Sequence, residues 1–286
     1  MIKTLATDLD GTLFYPKRVL RLISSRNKRF LSRFLKDDDH RLILVSGRNY
    51  SIAKEMEKKL KKPVSMIACN GAALYQDEKI VSEDYLTHEE VKNIYEINKK
   101  EKDLKIWLFM TNKYPLIIVM RNVTHCFTFF AKIGMKLNFK YSEKYLLGED
   151  KLEMALKDKD CHFYKVMPCF GFKKKAQDRA RDYSEYFVKE YGEKYEAMWS
   201  GTSVEFMKKG VNKANALKKL LAMLELNETE TAVAGDSGND IPLFEAFEES
   251  FAMSQAPKEV KEKAKYIIYG VHNIESYVNL KEGETK

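Results

Sequence analysis

Two carboxylates, Asp8 and Asp10, stand at positions i and i+2 near the start of the sequence. On an extended segment that spacing points both to the same side, and like charges so placed are costly unless a cation lies between them or one carries a proton. An oxygen-only pair with no histidine beside it suits magnesium; two acids that merely cap a turn would look the same. Gly11 permits a sharp exit from such a segment, and Thr12 can bond back to hold the loop. Ser46, Gly47 and Arg48 combine a hydroxyl, a backbone open to close approach and the start of a helix, the parts of a phosphate seat. An ordinary strand-to-helix turn uses the same residues and leaves Arg48 on the surface. Lys213 lies near the start of a helical stretch, where a cation opposes the helix dipole unless an anion compensates it; as one lysine among many it can equally be solvated. In Gly235-Asp236-Ser237-Gly238-Asn239-Asp240, Asp236 offers a third acid to complete an oxygen shell with Asp8 and Asp10. Asn239 could bond an anion or steady its neighbours, and Asp240 could pair with Lys213. The competing reading is a helix N-cap at Asn239 or Asp240.

These residues need rigid elements behind them. Ile2 to Thr7 and Arg41 to Val45 are β-prone runs that end in polar clusters, with a helix expected between them over about 20–35 and another over 50–61. Strand, helix, strand implies a parallel sheet, extended by a short strand at 64–68. From about Leu74 the pattern changes to hairpin-like pairs, 107–110 with 116–120 and 195–199 with 203–207, accompanied by helices over 87–100 and 173–191. After Gly210 the alternation returns: a helix over 213–224, a strand at 231–234, a helix over 241–247, a strand at 250–253, a helix over 257–264 and a strand at 266–268. The expected organisation is an α/β domain made of residues 1–80 and 208–286, with a separate α+β domain, 81–207, inserted between them. Trp107, Tyr114, His125 and Trp199 of the insert are conceivable ligand contacts, although aromatic residues in hairpins are usually core. The final KEGETK is expected to fray.

Four motifs now stand in fixed order: D-L-D-G-T-L at 8–13, V-S-G-R at 45–48, V-N-K at 211–213 and G-D-S-G-N-D at 235–240. Together they resemble the motifs of the haloacid dehalogenase (HAD) superfamily of phosphohydrolases, and more narrowly its Cof-type branch (subfamily IIB). Asn70-Gly71-Ala72 and the late Ala252-Met253 with Ala256-Pro257 resemble further marks of that branch. The resemblance covers the core segments, and the insert matches by position and size. It implies a Rossmann-like, doubly wound parallel sheet with a C2-type α+β cap domain. It also implies a magnesium-dependent phosphatase acting on a small soluble phosphomonoester (a sugar phosphate, nucleotide or phosphorylated cofactor) through an aspartyl-phosphate intermediate. By resemblance, Asp8 is the nucleophile and Asp10 the general acid/base. Mg2+ is held by the side chains of Asp8 and Asp236 and the backbone carbonyl of Asp10. Ser46, Gly47 and Lys213 hold the phosphoryl group with Arg48 and Asn239 beside them, and Thr12 and Asp240 support the site. Relatives with a similar cap include phosphosugar mutases, and a catalytically silent phosphate-binding protein is the reading from outside the enzymes; intact Asp8, Asp10, Lys213 and Asp236 argue against the latter. Gln255 departs from the branch, which usually has asparagine there, and the run Asp37-Asp38-Asp39-His40 reads as a solvated loop rather than a second metal site.

Composition bounds the remaining classes. The 286 residues, 44% of them hydrophobic, can bury a sizeable core. Lys and Arg number 50 against 42 acids, a net of +8, but the positive charge is scattered rather than gathered on one helix or arm, so no nucleic-acid partner is expected. Cys69, Cys126, Cys161 and Cys169 are widely spaced and read as free thiols rather than a zinc site. The amino terminus has no apolar stretch of signal-peptide length, and Lys105 to Met120 is too broken to span a bilayer. The expectation is a cytoplasmic protein, a monomer or weak homodimer, with no membrane partner.

Overall fold

Short apolar runs become the central strands. In a computed structural model that describes residues 1–16, 23–121, 145–171 and 174–279, β1 (Thr4–Thr7) is buried along its whole length. A tight turn over Leu9–Leu13 follows it. Helix α1 (Ser25–Phe34) starts at Ser24, whose side chain accepts from the Asn27 amide, and turns Phe30, Leu31 and Phe34 inward. The part of this expected helix at 20–22 lies outside the described residues, as do His125, Cys126 and the KEGETK tail. Strand β2 (Arg41–Val45), helix α2 (Ser51–Leu60) and strand β3 (Ser65–Ala68) continue the alternation, with β1, β2 and β3 parallel. Strands β4 (Ala73–Gln76) and β5 (Lys79–Glu83) then form an antiparallel hairpin on the same sheet.

The inserted segment builds its own layer. Helix α3 (His88–Asn98) opens with a capping box between Thr87 and Glu90. Strands β6 (Ile106–Thr111) and β7 (Leu116–Met120) form a hairpin, and β8 (Tyr145–Leu147) runs parallel to β7. Helix α4 (Glu149–Lys157), strand β9 (Phe163–Cys169), helix α5 (Lys174–Tyr191) and strands β10 (Tyr195–Ser200) and β11 (Ser203–Lys208) complete a six-stranded sheet in the order β10-β11-β9-β6-β7-β8. One apolar cluster, including Trp107, Phe109, Phe163, Phe187 and Phe206, forms its core; Trp107 is thus core, and the Tyr114 hydroxyl donates to Asp158. Lys165 and Glu205 form a buried ion pair on neighbouring strands of this unit.

Helix α6 (Lys213–Met223), β12 (Thr231–Gly235), α7 (Ile241–Ala246), β13 (Glu249–Met253), α8 (Lys258–Lys261), β14 (Tyr266–Ile268) and α9 (Glu275–Asn279) return to the first sheet. Its order is β14-β13-β12-β1-β2-β3-β4-β5, parallel as far as β3. The chain divides into two compact units, one made of residues 1–83 and 211 onward, the other of 84–210. In the first unit the winding runs outward from β1 through β2 and β3, then outward the other way from β12 through β13 and β14. The direction reverses between β1 and β12, and the carboxyl ends of strands at such a reversal are where open α/β sheets hold ligands. Among the described residues Cys69, Cys161 and Cys169 form no disulfide, and no helix is long and apolar enough to cross a membrane.

Candidate active site

Asp8 is the first residue beyond β1, and Asp236 the first beyond its neighbour β12. The Asp8 amide donates to the Ala234 carbonyl at 2.8 Å, so the backbone ladder itself sets one acid beside the strand that delivers the other. Lys213, at the first position of α6, is fully buried. Its Nζ lies 2.8 Å from Asp8 Oδ1 and 2.6 Å from Asp240 Oδ1. Asp240 spends its other oxygen on the backbone: Oδ2 accepts from the amides of Asp236 at 2.9 Å and Ser237 at 3.0 Å. One side chain thus closes the turn after β12 and anchors the lysine. Two glycines make this approach possible. Gly11 has φ +85°, and a Cβ there would come within 2.7 Å of Asp236 Oδ1; a Cβ on Gly235 would come within 2.6 Å of Asp240 Oδ2.

Two carboxylates, those of Asp8 and Asp240, therefore meet one ammonium in a buried place, with the Asp236 carboxylate close to both. Burial, with Asp240 and Asp236 adding repulsion, pushes the Asp8 carboxyl well above its ordinary range despite Lys213. Burial, followed by the charge of Asp240, pushes Asp236 up to about 7. Burial by itself would lower the Lys213 ammonium, but Asp240 and Asp8 outweigh it and hold that group well above its ordinary value. The charged form of the lysine is therefore favoured, and its single positive charge faces more than one acid.

The residues expected from sequence come together unequally. Asp8, Lys213, Asp236 and Asp240 form one cluster, and Thr12 Oγ1 donates to Asp236 Oδ1 at 3.0 Å, binding the first loop to the third acid. Asn239 is buried, with its Oδ1 accepting from the Ser237 hydroxyl at 2.7 Å. Ser46 is buried just past β2, where its hydroxyl accepts from the Arg48 amide at 3.1 Å across Gly47. The reading of Asp8 and Asp10 as side chains of one extended segment with a cation between them is corrected. The chain is still extended at Asp8 but leaves the strand from Leu9 and turns through Gly11, and the Asp10 carboxylate is gripped by Arg48, through Nε on Oδ2 and through Nη2 on Oδ1 at 2.7 Å. Arg48 accordingly meets Asp10, and Asp240 is the third member of the acidic group. Gln255 donates to the Gly11 carbonyl. Asn27 is a residue that sequence reasoning missed: buried in α1, it donates to the Leu13 carbonyl at 2.9 Å and accepts from the His272 amide at 3.1 Å. A lone asparagine in a polar helix carries no signal that would have singled it out.

One oxygen from each of Asp8, Asp236 and Asp240 lies within 4.8 Å of the others, a spacing that can hold a metal ion. The division of labour among the oxygens favours two of these acids as ligands. Asp240 commits both oxygens to the protein, whereas among the described residues Asp8 and Asp236 each give only Oδ1, to Lys213 and Thr12. A largely buried, all-oxygen donor set with surplus negative charge fits a hard divalent cation such as Mg2+.

Comparison with known proteins bears on the same arrangement. A family model described as haloacid dehalogenase-like hydrolase matches residues 5–275. A Mycoplasma pneumoniae protein provisionally named a phosphatase is 28% identical over 272 residues, covering 91% of this chain and 90% of that one. The Bacillus subtilis 5-amino-6-(5-phospho-D-ribitylamino)uracil phosphatase YcsE is 24% identical over 267 residues, covering 93% and 89%. Among solved structures, the subclass IIB sugar phosphatase BT4131 superposes with a TM-score of 0.73 at 20% identity, covering 97% of this chain and 99% of that one.

Proposed function

The chain belongs to the haloacid dehalogenase-like hydrolases, and from that membership we propose that it is a magnesium-dependent phosphatase that hydrolyses a small soluble phosphomonoester through an aspartyl-phosphate on Asp8. The observation that carries the reading is the buried pairing of Lys213 with Asp8 and Asp240, beside Asp236, at the carboxyl ends of β1 and β12. Phosphoryl transfer asks mainly for positioning and for neutralisation of charge on the transferred group, and this cluster is built for both.

A carboxylate oxygen of Asp8 attacks phosphorus, forming the acyl phosphate as the bond to the leaving oxygen breaks. Asp10 gives its proton to that oxygen and then takes one from the water that hydrolyses the intermediate. Lys213, held by Asp240, and the donors of the Ser46-Gly47 turn and Asn239 bind the phosphoryl oxygens. Arg48 orients Asp10 through its paired contact. Mg2+, held by Asp8 and Asp236, supplies when bound the positive charge that keeps both acids ionised and offsets the phosphoryl oxygens. The inserted unit, residues 84–210, is the cap that selects the organic part of the substrate. Relatives named as a sugar phosphatase and a phosphoribityl-uracil phosphatase support a phosphorylated sugar or sugar-like chain as the substrate class.

A panel of sugar phosphates, nucleotides and phosphorylated cofactors incubated with Mg2+ and scored for inorganic phosphate tests the proposal. Asp8→Asn is expected to abolish release, and chelation of the metal to suppress it. Turnover undiminished in Asp8→Asn would refute the nucleophile, and isomerised product without free phosphate would make the enzyme a mutase.

A further inference from the structure

Nearly every residue of the loop that leaves β1 is tied down. The Asp8 amide bonds Ala234, the Asp10 carboxylate is paired with Arg48, Thr12 Oγ1 bonds Asp236, and the Leu13 carbonyl accepts from Asn27. Gly11 has no side chain by which to be held, and at φ +85° it is the residue with the widest backbone freedom. Its carbonyl is fixed from outside: Gln255 Nε2 donates to it at 2.6 Å. Only the nitrogen of that amide can donate to a carbonyl, so the orientation of the Gln255 head is set by the contact itself. The lever has a firm base, because the turn carrying Gln255 is bonded on both sides, Ser254 N to the Ile268 carbonyl at 2.7 Å and Ala256 N to the Met253 carbonyl at 2.9 Å.

Gly11 follows Asp10 directly. Rotation of its peptide planes would swing the Asp10 carboxylate on one side and Thr12 on the other. We infer that Gln255 is a positioning residue that locks the Gly11 peptide and thereby aims Asp10 at the leaving oxygen. An asparagine from the same Cα is one methylene shorter, about 1.5 Å, and would not reach Gly11 without moving the turn. The inference rests on the role proposed for Asp10.

The test compares p-nitrophenyl phosphate, whose leaving oxygen needs little help from an acid, with phenyl phosphate, whose leaving oxygen has the basicity of a tyrosine, pKa about 10. For Gln255→Ala and Gln255→Asn with Mg2+, kcat on phenyl phosphate is expected to fall roughly 3- to 10-fold, the worth of one neutral hydrogen bond. KM should stay within about twofold, and kcat on p-nitrophenyl phosphate should fall less than about twofold. Gln255→Glu keeps the shape but lacks the donor and should lose as much as alanine. Because Gln255 is exposed, the melting temperatures should match the parent's, which separates aim from folding. Asp10→Asn, run in parallel, should show a larger loss with the same dependence on leaving group. If Gln255→Ala loses equally on both substrates, or on neither, while Asp10→Asn keeps the dependence, the inference fails and the reading of Asp10 stands. If Asp10→Asn shows no such dependence, both fall.

Discussion

Replacing Lys213 with methionine keeps most of the side chain's bulk and removes the ammonium that Asp8 and Asp240 share. The three side chains are 1%, 9% and 0% exposed respectively, so solvent cannot take over the lost partner. Removing one member of a buried pair costs about 3–5 kcal/mol, because the remaining charge is left uncompensated. Two carboxylates are stranded here, so the upper half of that range is expected in the presence of a chelator. Against a total stability of about 5–15 kcal/mol the variant should lose roughly a quarter or more, read as a shift of the urea midpoint by about 1 M or more. The double variant Lys213→Met with Asp240→Asn removes one stranded charge while keeping the side chain's shape, and should recover about 1–3 kcal/mol relative to additivity. In the same preparations kcat should fall by about 10²- to 10³-fold, the cost of losing a preorganised donor at the reacting group. A single variant within about 0.5 kcal/mol of the parent, or strict additivity in the double variant, would refute the claim that this ammonium holds the cluster together.

Protonation supplies a second test. The Asp236 carboxyl, raised to about 7 by burial and then by Asp240, keeps a proton in the folded chain at pH values where the unfolded chain, with an aspartate near 3.9, has lost it. Its contribution to stability is complete below about pH 4 and is lost as pH rises through about 7. Without Mg2+, the melting temperature attributable to this group should fall across that window, and Asp236→Asn should flatten the slope; an unchanged slope in the variant would contradict the assignment. Gly11→Ala places an L residue at φ +85° and its Cβ against the Asp236 carboxylate. It should cost about 2 kcal/mol or more and weaken Mg2+ binding at least about tenfold, both measurable in a titration followed by melting. In the inserted unit, Lys165 and Glu205 are 2% and 5% exposed. Lys165→Met should cost about 3–5 kcal/mol, while Lys165→Met with Glu205→Leu should recover most of it; equal melting of the two variants would show that the pair carries little charge coupling.

The first sheet was readable because its strands are continuous buried runs that end in small polar clusters. Thr4–Thr7, Arg41–Val45 and Thr231–Gly235 each announce themselves in that way. The pairing of Lys213 with Asp240 was also readable, since a cation at the start of a helix needs an anion nearby. The hairpin of β4 and β5 gives no such signal, because its turn, Asp77-Glu78, holds both residues at positive φ without glycine or asparagine. Strand β9 carries a buried lysine and a proline, Lys165 and Pro168, which break the apolar pattern by which a central strand is recognised. The grip of Arg48 on Asp10 escaped for another reason. It depends on how the chain turns after Asp8, and a two-residue spacing cannot say where a strand stops.

The unit that holds the reactive cluster is assembled from both ends of the sequence, with Lys213 separated from Asp8 by 205 positions, while the insert is one unbroken stretch with a sheet and core of its own. During synthesis the insert's residues leave the ribosome as a set, whereas β1 must wait with one edge bare until β12 emerges to cover it. A nascent chain arrested just after Met223 would thus contain Asp8, Asp10 and Lys213 yet hydrolyse nothing, and it would expose a sticky strand that chaperones should recognise. Enzymatic competence arrives only once β12 and the Asp236 turn behind it have been made.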